Sequence, residues 1–306
     1  MDRREFLKQV ALWSAGAILY PPVFDVLSLA GAASESKSEI FVAKGTDLSV
    51  MVRRVMDAFG GIGGVVKTGD KVVIKPNIGW DRTIEQGANT HPLIVAELVK
   101  LCLDAGASRV SVFDRTCNEA RRCYQNSGMV QALEKIRDKR FRLDHVEDRH
   151  FIPVTLKNGQ ILKEWSFHKD ALEADCYINV PVAKHHSLSG LSLGMKNIMG
   201  AVGGWRGRLH YDLGPKLADL NTVIRPKLTL IDASRVIVKN GPQGGDLSDV
   251  KILDTLIGSR DPVAADAYAT TLFGFLPKDI ESTVEAHKRG LGQMDLNQCH
   301  IRYLDA

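Results

Sequence analysis

From residue 40 onward the chain alternates two hydrophobic rhythms. Short, continuous apolar runs predict buried strands at residues 40–43, 71–74, 109–113, 176–180, 227–231, 252–257 and 299–304. Between them, apolar residues recur at three- and four-residue spacing. That predicts helices over 47–59, 91–105, 118–139, 262–273 and 276–288, with Asp47 as an N-cap, Pro92 in a first helical turn and Gly128 as a break. Residues 151–165 instead alternate polar and apolar positions around Asn158-Gly159, the pattern of a hairpin added at a sheet edge. Strands separated by helices of roughly 10–15 residues predict an α/β fold. Its sheet is largely parallel and flanked by helices, with a small antiparallel hairpin added on.

The first residues do not fit this rhythm. Arg3-Arg4 precede Phe6-Leu7-Lys8, an apolar stretch runs from Val10 to Tyr20, and Ala30-Gly31-Ala32 offers a small-x-small cleavage site. This resembles a twin-arginine export signal over residues 1–32, followed by a polar linker at 33–38 and an α/β domain over 39–306. The apolar stretch is interrupted by Ser14, Gly16 and Pro21-Pro22, short of the ~20 apolar residues of a spanning helix. A periplasmic or extracytoplasmic address is expected, membrane-anchored if the signal stays uncleaved. The translocase would be a partner during export. This route carries proteins already folded, often with a cofactor inserted.

Composition narrows the classes. Of 306 residues, 44% are hydrophobic and 25% charged, which excludes a disordered tail, a collagen-like repeat and a disulfide-stapled mini-protein. A mean hydropathy of −0.09 excludes a polytopic membrane protein. The net charge of +4 is too small to argue for nucleic acid, and an exported protein would not meet it. Five cysteines form no CxxC pair, so a self-held iron–sulfur cluster is not expected and no cofactor is identified. Cys117 and Cys123 could pair, but the odd count favours buried thiols. No HExxH or comparable spacing predicts a metal site.

Chemically loaded residues follow five of the predicted strands. These are Lys75-Pro76-Asn77, Asp114-Arg115, Lys184-His185-His186, Asp232 and Asp261-Pro262. Ligands of open parallel sheets bind outside the carboxyl ends of strands, so the five sets are expected to share one rim. The densest segment is 184–216. It holds Lys184, Lys196, Arg206, Arg208 and Lys216 against Asp212 alone, with His185, His186, His210 and seven glycines. Clustered cations and glycines that admit close backbone approach predict a site for carboxylate or phosphate. Lys196-Asn197 lies in an apolar stretch, and a buried lysine needs a carboxylate or an anionic ligand. In this reading Lys184, Lys196 and His210 bind and polarise the anion, and His185 or His91 is the general acid/base. Asp232 or Asp266 orients or pairs with a lysine. Asn77 and Asn197 hydrogen-bond the ligand, and Lys75, Asn240, Gly241 and Asp261 complete the binding set.

Several of these segments resemble the DUF362 family. The core is Asp175 to Gly190 with Lys184-His185-His186, continuing through Gly194-Met195-Lys196-Asn197-Ile198-Met199-Gly200. Lys75-Pro76-Asn77, Thr90-His91-Pro92, His210, Asp232-Ala233, Asn240-Gly241-Pro242, Gly244-Gly245 and Ser259 to Asp266 extend it across residues 70–294. The family has no agreed general activity. Many relatives carry a four-cysteine ferredoxin-like segment that this chain lacks, so the resemblance does not imply a self-held cluster and leaves open a redox role alongside a partner protein. Two functions follow as expectations. One is an exported enzyme acting on an anionic small molecule or cofactor. The other is a periplasmic cofactor- or metal-binding or redox-accessory protein.

Overall fold

The computed structural model describes residues 37–306. The twin-arginine segment and most of the 33–38 linker lie outside the described residues. Among the described residues, no helix is long and apolar enough to cross a membrane.

The first half of the domain runs β1 (Ser38–Lys44), α1 (Leu48–Ala58), β2 (Lys71–Pro76), α2 (Pro92–Asp104), β3 (Arg109–Asp114), α3 (Ala120–Asn126), α4 (Met129–Leu133), β4 (Phe141–His145), β5 (Phe151–Thr155) and β6 (Glu164–His168). Then come α5 (Lys169–Leu172), β7 (Cys176–Val180), β8 (Lys184–His186), β9 (Gly190–Ser192), α6 (Gly194–Asn197), α7 (Leu213–Asn221) and β10 (Leu228–Ile237). The chain finishes with β11 (Val250–Ser259), α8 (Pro262–Thr271), α9 (Glu281–Lys288) and β12 (Cys299–Asp305). Eight strands form one sheet in the order β12-β1-β11-β10-β7-β2-β3-β4. β11 alone runs against the rest. The fold is α/β, as the alternation predicted.

The central strands are buried on both faces, which is why they read as unbroken apolar runs. Val72 and Ile74 of β2 pack with Met51 of α1, Leu98 of α2 and Met129 of α4. Val73 points the other way, onto Phe113, Tyr177, Ile198 and Leu217. A third cluster joins Ile40, Val42 and Ile231 to Ala264, Ala265 and Ala269 of α8. Helix starts follow their capping residues. Asp47 accepts from the N–H groups of Ser49 and Val50 at 2.9 and 3.1 Å, and Pro92 opens α2.

Four expectations are corrected. The helix expected over 118–139 does break at Gly128, whose φ of 75° suits glycine, but its two parts end already at Leu133, and an unforeseen strand, β4, follows. The 151–165 hairpin is longer, pairing Phe151 with His168. It forms a separate two-stranded sheet, not an extension of the main one. The helix expected from 276 begins only at Glu281, after a 3-10 turn at Pro277–Asp279. β11 is antiparallel because the segment 238–249 holds only a 3-10 turn, Leu247–Asp249. A parallel return needs a longer crossover, usually a helix.

Candidate functional site

The carboxyl ends of β2 and β3, the segment after β7, and α6 enclose a cavity of about 540 Å³. Lys75, Arg115, Lys184, Lys196 and Arg206 line it, against one carboxylate, Asp114. These cations are not equivalent. Lys75 is fully buried and ion-paired, its Nζ 2.8 Å from Asp114 Oδ1 and 2.9 Å from Asn197 Oδ1. Burial pulls its pKa down, and Asp114 opposes the shift. The two arginines are tied to backbone carbonyls. Arg206 donates to Arg115, Thr116 and Met199, and Arg115 donates to Val202 and Gly204.

Lys184 and Lys196 have no carboxylate. Lys184 opens β8 with 1% exposure and donates to Asn77 Oδ1 at 3.3 Å and to the Ala88 carbonyl. Burial lowers its pKa to about 7, and the charge of Lys196 adds to the shift. Lys196, on α6, reaches only the Met199 sulfur, at 3.5 Å. Burial holds its pKa at about 8, helped by Arg206. A desolvated cation without a counter-charge is costly, and an arriving anion would relieve that cost.

Two imidazoles stand over these lysines, the rings of His186 and His210 stacked 6.2 Å apart. His186 Nδ1 accepts from the N–H groups of Leu188 and Ser189, which leaves the proton on Nε2. Burial, with Lys196 beside it, takes its pKa to about 3, so it is neutral. His210 is exposed at the mouth, and its pKa is lowered by desolvation and by Lys196. Trp80 and the exposed Trp205 and Leu188 complete an apolar rim.

The scaffold under the cavity is a polar network. Asn197 Nδ2 donates to the Lys75 carbonyl and to Asn179 Oδ1, and Asn179 donates to the Gly194 carbonyl. Asp266 of α8 accepts from the Gly194 and Met195 N–H groups at 2.7 and 2.8 Å, capping α6 from below. Burial raises its pKa to about 7 against the pull of these bonds. At Gly200 a β-carbon would run into the Asp114 carboxylate and lie 2.5 Å from Lys75 Nζ. Only glycine allows the backbone so close to that ion pair.

The family model for DUF362, described as a domain of unknown function, matches residues 72–271. The chain belongs to the DUF362 family. A thylakoid-associated protein of Synechocystis sp. is 27% identical to this DUF362 chain over 259 residues, spanning 80% of the chain and 75% of that protein. Two solved structures are similar at lower levels. A protein of Thermotoga maritima has a TM-score of 0.44 and 10% identity, covering 84% of this chain and 60% of its own. The lactate racemase apoprotein of Thermoanaerobacterium thermosaccharolyticum has a TM-score of 0.41 and 13% identity, with 72% and 54% covered. The chain thus spans less than two thirds of either solved relative.

Of the residues singled out in this DUF362 sequence, Lys75, Asn77, Lys184, Lys196, Asn197 and His210 meet at the cavity. The others do not. His185 faces away from it, its Nδ1 accepting from the Gly241 N–H. Asp232 is engaged by the His91 N–H, the Ser234 N–H and the Ser234 hydroxyl. His91 caps α2 and lines a separate depression with Arg235 and Asp254. Asn240 donates to Asp249. Gly241 lies against the His185 carbonyl, although the neighbouring Pro242 does reach the cavity wall. Asp261 caps α8 at the opposite rim, because β11 arrives there antiparallel. Asp266 acts from beneath, through α6. The expected pairing of Asp232 or Asp266 with a lysine is absent, and Asp114 takes that role.

Asp114, Arg115, His186 and Arg206, to which the sequence assigned no individual role, also line the cavity, as does Cys117. Position at a strand end marked Asp114 and Arg115, and the basic segment contained Arg206. Nothing local marked Cys117, an exposed free thiol at the cavity, and Cys123 is a buried free thiol. Among the described residues, no cluster of three His, Cys, Asp or Glu side chains is placed to hold a metal ion.

Proposed function

We propose that this DUF362 protein is an exported enzyme that binds a small molecule through a carboxylate or phosphate group. One observation carries the reading. Three lysines share a cavity, and only Lys75 has a carboxylate, which leaves Lys184 and Lys196 to face the space with neutral partners. Lys196 anchors the anion as a charge-assisted donor. His186 Nε2–H adds a neutral donor, and His210 at the mouth is placed for proton transfer. Lys75, Asp114 and Asn197 hold the floor rigid and do not themselves bind. The twin-arginine segment supplies the extracytoplasmic address.

The test is calorimetric titration of the purified protein with inorganic phosphate and a panel of small carboxylates. Lys196→Ala is expected to weaken binding by about 1.5–3 kcal/mol, on the order of tenfold to a hundredfold, with circular dichroism and melting temperature little changed. Unchanged affinity in this variant would remove Lys196 as the anchor.

A further inference from the structure

Lys184 is placed for more than charge. An ammonium has three N–H donors, and the protein offers Lys184 two acceptors, Asn77 Oδ1 and the Ala88 carbonyl. A neutral amine has two N–H groups, which these acceptors satisfy completely, leaving its lone pair to the remaining direction. Lys184 is a lining residue of the cavity, together with Asn77 and Lys196. Lys196 sits near enough for its charge to oppose a second one on Lys184. A desolvated lysine beside another cation is the arrangement that activates an amine as a nucleophile.

We propose that Lys184 is a covalent catalytic residue that forms an imine with the carbonyl carbon of a 2-oxo acid whose carboxylate rests on Lys196. This builds on the anion-binding reading and names the substrate class. The amine nitrogen bonds to the carbonyl carbon, and the carbonyl oxygen leaves as water with the two hydrogens of the amine. No oxidant or reductant is needed. The protonated imine then draws electrons from the adjacent carbon, the usual role of lysine in carbonyl chemistry. With its pKa lowered to about 7 by burial, Lys184 is neutral at pH 7 far more often than an ordinary lysine, for which the neutral form is well under one in a thousand.

The purified protein is incubated separately with pyruvate and with 2-oxoglutarate in the presence of sodium borohydride, digested, and mapped by mass spectrometry. The expected result is one reduced adduct on the Lys184 peptide, formed at least about a hundredfold faster than on any surface lysine, as the neutral fractions imply. Excess inorganic phosphate should slow it by competing for Lys196. Lys184→Arg, which keeps the charge but has no amine able to form an imine, should give no adduct. Phosphate binding that depends on Lys196, with adducts scattered over surface lysines and none at Lys184, overturns the imine and leaves the anion site standing. Failure of phosphate and of both oxo acids to bind at all overturns both readings.

Discussion

At the scale of single residues, the cavity is defined by which charges have partners. Lys75 and Asp114 neutralise each other, and Arg115 and Arg206 are fixed by carbonyls. The pKa of Lys196, lowered to about 8 by burial, then sets a pH dependence. A bound anion favours the charged lysine and raises that pKa. Binding near pH 8 should therefore take up a proton, and affinity should fall as pH climbs above 8. Calorimetry in buffers of different ionisation enthalpy measures both, and Lys196→Ala should abolish the proton uptake. The lysines themselves were legible in the sequence, through charge density and clustered glycines. The direction of a side chain was not. Lys184 and His186 face the cavity, while His185 between them turns to the Gly241 N–H, as alternation along β8 requires. Sequence offset alone gives that alternation, but not which parity is inside. Asp232 looked like a lysine partner and is instead a brace for the turn into α2, which only the fold reveals.

At the scale of elements, α6 is the part that matters most, and it is one turn long. So short a helix gains little from propensity and depends on tertiary support. Asp266 supplies it by accepting two N–H bonds at the start of the turn that carries Lys196 and Asn197. Asp266→Ala should leave both donors buried and unmet, at a cost of about 1–3 kcal/mol, read as a lower melting temperature. Anion affinity should fall with it, since Lys196 loses its mooring, whereas Asp266→Asn, which keeps an acceptor, should recover most of both. An unchanged melting temperature in the alanine variant would show that α6 is held by other contacts. Long amphipathic elements such as α1 and α2 were legible because their period and caps are local properties. The short ones, β4, β8, β9 and α6, were not, because each is stabilised by neighbours distant in sequence. Direction escaped too. The residues of β11 read the same either way, and only the missing crossover helix before it betrays the reversal.

At the scale of the whole molecule, the described domain is built on one eight-stranded sheet, whose parallel half carries the cavity and whose other half closes the flank. The export proposed above rests on Arg3 and Arg4. Replacing both, Arg3→Lys with Arg4→Lys, should retain the protein in the cytoplasm. Cell fractionation with antibody detection reads this directly, and undiminished export would assign the protein to another route. A retained protein should still bind phosphate, since the cavity is built entirely from residues 75–242.

The antiparallel β11 has a kinetic counterpart. β1 lies between β11 and β12, so Phe41 waits for Gly258 and Ser38 for Cys299 before either has a neighbour. Pairings of such long sequence separation form late, and until then β1 presents two bare edges. On a ribosome, residues 71–180 can assemble their parallel core while β1 is still an unpaired ribbon near the emerging end of the chain. Closure of the sheet around β1 therefore cannot precede synthesis of β11 and β12.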